Sequence, residues 1–122
     1  MFNLFKSSSN ELPAQWHTLN ELGQLKDIDS ASTNKPQVIM KHSTRCSISS
    51  AALHRLNQGV SQLAEQADVH YLDLISHREV SNEIERHYGV RHESPQVLVI
   101  ENGKVSRHLS HNAIRPEAVL EG

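Results

Sequence analysis

The chain has 122 residues, which suits one compact domain with a core of its own. Its formal charge is −2, from 12 Lys and Arg against 14 Asp and Glu. Nine histidines, partly protonated near neutral pH, move that value towards zero. An acidic balance argues against a nucleic-acid binder, which neutralises phosphates with a basic excess. No run approaches the roughly 18 apolar residues of a membrane span.

Residues 1–13 read as a flexible N-terminal lead-in, and 14–122 as a single domain. The opening Met1-Phe2-Asn3-Leu4-Phe5-Lys6 is too short for a signal peptide and lacks its basic-then-apolar layout. One cysteine excludes an intramolecular disulfide and an all-cysteine zinc site, and suits a reducing, cytoplasmic setting.

Gln15 to Leu19 is expected to form a first strand anchored by Trp16 and Leu19. Asn20 then caps a helix that carries Leu22, Leu25 and Ile28 near one face. Ser32-Thr33-Asn34-Lys35-Pro36 is a turn cluster that stops it. Val38-Ile39-Met40 reads as a short buried strand, followed by the polar segment Lys41 to Cys46. A long helical pattern runs from Ile48 to Ala67, with Gly59 marking a bend.

Val69 to Leu74 reads as a strand and His77 to Tyr88 as a helix with Gly89 at its C-cap. Val97 to Ile100 is a buried strand, Asn102-Gly103 a hairpin turn, and Val105 to Leu109 the return strand. Pro116 opens a short last helix. The order β-α-β-α-β-α-β-β-α predicts an α/β fold: a central mixed sheet flanked by helices on both faces.

Cys46 falls between a buried strand and a helix start. The first-turn N–H groups of a helix lack intrahelical partners, and the dipole there favours negative charge. Such a place favours the thiolate, and Lys41, His42 and Arg45 are cations close in sequence. An isolated cysteine is often a small core residue. Here its neighbours Ser43, Thr44, Arg45 and Ser47 are not core residues, which favours a reactive thiol. Cys46-Ser47-Ile48-Ser49 has Cys-x-x-Cys spacing with serine in the second place. Ser49 cannot resolve a mixed disulfide, so the resolving thiol comes from another molecule. Ser94-Pro95 precedes a strand, and the sequence leaves its peptide geometry open.

The order of these parts resembles the thioredoxin superfamily. Within it the chain is similar to the small bacterial monothiol bacilliredoxins. The likeness is carried by Lys35-Pro36, by Lys41-His42-Ser43-Thr44-Arg45-Cys46-Ser47-Ile48-Ser49 and by Tyr71-Leu72-Asp73-Leu74. Arg78-Glu79-Val80-Ser81-Asn82 and Ser94-Pro95-Gln96 complete it. It covers roughly residues 15–120, and Ser47 stands where the family usually has proline.

The resemblance implies a thioredoxin-like fold and a thiol-disulfide oxidoreductase. That enzyme takes bacillithiol, or a similar small thiol, off S-thiolated proteins. Cys46 is then the nucleophile, and Lys41, Arg45, Ser47, Ser49, Ser94 and Pro95 surround the substrate. Arg45 and Lys41 would attract the acidic malate part of bacillithiol. No tightly bound cofactor is implied, and bacillithiol serves as co-substrate. The partners are S-thiolated proteins and the small thiol, with no nucleic acid and no membrane. The expected state is a monomer, with an intermolecular Cys46 disulfide as a route to a dimer.

Two other classes compete. A redox sensor is capped at Cys46 without turning over. An iron–sulfur carrier of the monothiol glutaredoxin type has Gly and Phe inside its Cys-x-x-Ser segment, where this chain has Ser47 and Ile48. The histidines His87, His92, His108 and His111 lack a carboxylate or second cysteine at zinc-ligand spacing, so no metal site is expected. Glu83 and Glu85 are two apart and do not face each other on a helix. No Gly-rich phosphate loop is present.

Overall fold

Val38, Ile39 and Met40 lie on the central strand of a five-stranded sheet and are fully buried. The computed structural model describes residues 12–120. The strands are β1 (Trp16–Thr18), β2 (Gln37–His42), β3 (Asp68–Asp73), β4 (Gln96–Glu101) and β5 (Lys104–Ser110), in the order β1-β3-β2-β4-β5. The first three are mutually parallel, and β4 and β5 are antiparallel additions. The helices are α1 (Gln24–Ala31), α2 (Ser47–Asn57), α3 (Val60–Gln66), α4 (Arg78–Tyr88) and α5 (Pro116–Val119).

Alternation along β2 divides the core in two. Val38 and Met40 face α2, α3 and α5, packing with Ala52, Leu56, Val60, Leu63 and Val119. Ile39 faces α1 and α4, packing with Leu25, Ile28, Val80 and Ile84. The expected mixed sheet with helices on both faces is what forms.

Several boundaries differ from the sequence reading. β2 runs on through Lys41 and His42, because β3 pairs with it as far as His42 and β4 as far as Lys41. α1 starts only at Gln24, and Leu22 is 45% exposed in the preceding turn. The Gln24 side chain accepts the N–H groups of Asn20 and Glu21, so Asn20 is not the cap. The long helix is two helices, with Gly59 as the N-cap of α3. The Asn102-Gly103 turn has φ +53° and +76°, the left-handed pair a type I′ turn requires. Gly89 caps α4 at φ +71°.

The lead-in reading of residues 1–13 lies outside the described residues as far as residue 11. Leu12 packs against the core and Pro13 O accepts the Trp16 N–H, so these two are not loose.

Candidate functional site

The parallel strands end where β4 begins. The loops after β2 and before β4 therefore leave the same end of the sheet, since Lys41 is paired with Gln96. Leu74 N donates to His42 O across 2.9 Å, which joins the loop after β3 to the same place. Cys46, Pro95 and the 74–77 turn are gathered there by the topology.

Cys46 is the N-cap of α2. Its backbone is extended at φ −119° and ψ 122°, its O accepts the first helical N–H from Ser50, and its own N–H donates to Ser43 O. No side chain caps this helix, so the polar end of α2 is open beside Sγ. The thiol is free and half-buried. Around it Thr44, Arg45, Ser47 and Ile48 are exposed, with Ile48 at 53%. No ion pair engages Arg45 among the described residues. Arg45 and Ser47 are exposed and flank Cys46 in the chain.

Ser49 and Lys41, expected beside the substrate, are not exposed. Ser49 is fully buried, and its Oγ lies 2.7 Å from His42 Nδ1 while accepting the Ser43 N–H at 3.0 Å. Its hydroxyl is used inside the protein, not offered to a substrate. Lys41 is also fully buried. It projects to the α1 and α4 side with Leu72, its register partner in β3, whereas His42 faces α2. It is therefore not a surface cation for a substrate, nor one that lines the Cys46 side. The reason is the extension of β2, which makes both positions part of a central strand. Burial pushes the Lys41 ammonium down to about 8 against a partial counter-effect of Glu85. Burial likewise lowers the His42 pKa, opposed by Asp73 and by Ser49.

Pro95 is buried and the Ser94–Pro95 peptide is cis. A relay of hydrogen bonds ties this loop to the helix that carries the thiol. Pro95 O accepts the His111 N–H, and Arg55 of α2 donates Nη2 to His111 O and Nε to Ile114 O. Arg55 is a supporting residue the sequence reading missed, because its partners lie more than fifty positions away. His42, expected as a cation near the thiol, is instead buried, which disfavours its charged form, and neither Glu85 nor Gln96 was read as a site residue. Only their partners in space single out Glu85 and Gln96.

A model of the family described as Monothiol bacilliredoxin BrxC matches residues 17–119. The chain belongs to the monothiol bacilliredoxin family. This bacilliredoxin is also similar to a solved chain described as a candidate oxidoreductase with a thioredoxin fold. That likeness has 28% identity and TM-score 0.72, over 83% of this chain and 87% of the other. Mitochondrial thioredoxin 3 from Saccharomyces cerevisiae matches at 16% identity and TM-score 0.64, over 84% and 88% of the two chains. Fasciola hepatica thioredoxin matches at 12% and 0.63, over 78% and 86%. The last two share the fold alone. The bacilliredoxin thus has a thioredoxin fold, and its family and its 28% identical neighbour support thiol redox chemistry. Among the described residues no helix is long and apolar enough to cross a membrane, and no cluster of three or more His, Cys, Asp or Glu is arranged to hold a metal ion.

Proposed function

We propose that this bacilliredoxin removes bacillithiol, or a similar small thiol, from protein mixed disulfides in the bacterial cytoplasm. The carrying observation is a free, half-buried thiol at an uncapped helix start, with Ser49 buried and hydrogen-bonded three residues on. The reacting form is the Cys46 thiolate, at the open start of α2. That thiolate attacks the bacillithiol sulfur of the substrate disulfide. A Cys46–bacillithiol bond forms, the substrate S–S bond breaks, and the protein thiolate leaves and takes a proton.

Ser49 cannot displace the cap. A second bacillithiol, as thiolate, attacks the cap's sulfur, frees Cys46 and leaves as bacillithiol disulfide. Arg45, exposed beside the thiol, is the cation that meets the carboxylates of the malate group. On this reading Ser47, on the first turn of α2, and Ser94, in the loop before β4, flank the approach of the substrate.

The test is turnover. A peptide capped with bacillithiol is incubated with catalytic protein and excess bacillithiol, and released peptide thiol is counted. Many equivalents per protein are expected, and none with Cys46→Ser. A single equivalent, with Cys46 left capped, would make the protein a redox sensor rather than an enzyme.

A further inference from the structure

Among the described residues, the wholly buried side-chain polar atoms without a hydrogen-bond partner are Lys41 Nζ, Gln96 Oε1 and Ser94 Oγ. All three fall in one place. Lys41 and Gln96 face each other across β2 and β4, and Ser94 is two residues before Gln96. An unpaired buried ammonium is costly, and a chain that keeps one has a use for it or a partner within reach.

The charged groups around Lys41 are Glu85 from α4 and His92 from the loop before β4, with Arg78 and Glu93 as the next charges about His92. Two side chains fasten that loop. Glu85 Oε2 accepts the His92 N–H at 3.2 Å, and Gln96 Nε2 donates to Arg91 O at 2.9 Å. Lys41 is the register partner of Gln96, and the charge of Glu85 acts on it without an ion pair. Its ammonium carries three donors, and the free Oε1 of Gln96 belongs to the residue directly opposite.

We propose that Lys41 is a positioning residue that holds the 91–95 loop at the Cys46 end of the sheet by acting on Glu85 and Gln96, and so sets how a protein disulfide is seated there. The ammonium attracts Glu85 through space, with no ion pair formed. It also favours the Gln96 orientation with Oε1 towards Lys41 and Nε2 towards Arg91 O. Without it the amide is held only by its bond to Arg91 O, and Glu85 only by the His92 N–H. The seating clause rests on the exchange reaction proposed above, whereas the loop clause does not.

Amide hydrogen exchange of the full chain tests the loop clause in wild type, Lys41→Met and Glu85→Gln. Both variants are expected to exchange the 91–94 amides about tenfold faster, with β2 and β3 unchanged. The same proteins are assayed for attack on a capped peptide and for alkylation of Cys46 by iodoacetamide. The peptide rate is expected to fall about tenfold and the alkylation rate to stay within twofold. The ratio of the two rates falls in wild type as pH rises through about 8 and is flat in Lys41→Met.

Unchanged 91–94 exchange in both variants overturns the proposal, as does an equal fall of both rates. If Lys41→Met fails to fold, Glu85→Gln decides. If wild type attacks no capped peptide, the enzymatic reading fails, and the 91–94 amides alone decide the loop.

Discussion

The Ser49 hydroxyl lies 2.7 Å from Nδ1 of His42, and it joins the first turn of α2 to the last residue of β2. The same Oγ accepts the Ser43 N–H at 3.0 Å, so one hydroxyl ties the loop backbone and the His42 ring to α2. The strand-to-helix loop that delivers Cys46 is thus closed by a serine where a dithiol redoxin would have its second cysteine.

Ser49→Ala removes this closure. It leaves a buried N–H and a buried ring nitrogen without partners, a cost of about 1–3 kcal/mol. The urea midpoint is expected to fall with an unchanged slope. A midpoint equal to wild type would mean that the loop is held without Ser49.

Lys41→Met is expected to stabilise the protein at neutral pH. The lysine is fully buried, and its pKa falls from 10.5 to about 8 on folding. Between those values the unfolded chain binds a proton the native chain does not, so native stability rises with pH in that window. Below pH 8 the buried charge costs on the order of 3 kcal/mol, which methionine avoids. The advantage of the variant should therefore shrink as pH rises from 8 to 10.5, in denaturant titrations at several pH values. Global gain together with a looser 91–94 loop is the combined signature of a positioning role.

His70 sets an acid limb. Its Nε2 lies 2.9 Å from Gln37 Oε1, and Gln37 Nε2 donates to Asp68, so His70 donates as a neutral ring. Burial, then the nearby His17, push its pKa from 6.5 down to about 4. As pH falls from 6.5 towards 4 the unfolded chain takes the proton first, and stability is lost across that window. His70→Phe should be less stable at pH 7, having lost its bond to Gln37, yet should lose less between pH 6.5 and 4. Parallel curves for the two proteins would contradict this.

Gly59→Ala probes packing far from the thiol. A Cβ at this position would lie 2.6 Å from Pro116 Cβ and 2.8 Å from its Cγ. The junction of α3 with α5 would have to open, at about 1–3 kcal/mol. Thermal denaturation should show the loss, while alkylation of Cys46 should proceed at the wild-type rate.

Periodicity carried most of the fold. Val38 to Met40 and Val97 to Ile100 are apolar runs long enough to mark buried strands, and Asn102-Gly103 and Gly89 are backbone signals that need no tertiary context. Lys41 misled because charge at a strand end normally means the strand is over. Only the pairing of β3 and β4 on both sides explains its burial. Ser49 misled for a similar reason: its spacing from Cys46 suggested a place near the substrate, and its partners Ser43 and His42 are visible only in space. The exposure of Arg45 and Ser47 follows from the loop after β2, which is local to Cys46.

The most direct test of the central claim is the fate of the cap in a single encounter. The protein is mixed with one equivalent of a bacillithiol-capped peptide, and intact masses are read for both. Cys46 should gain the mass of one bacillithiol as the peptide appears with a free thiol, and Cys46→Ser should change neither. An unmodified chain beside an intact capped peptide would contradict the account. So would a chain joined to the peptide itself with bacillithiol released, which would place the attack on the other sulfur.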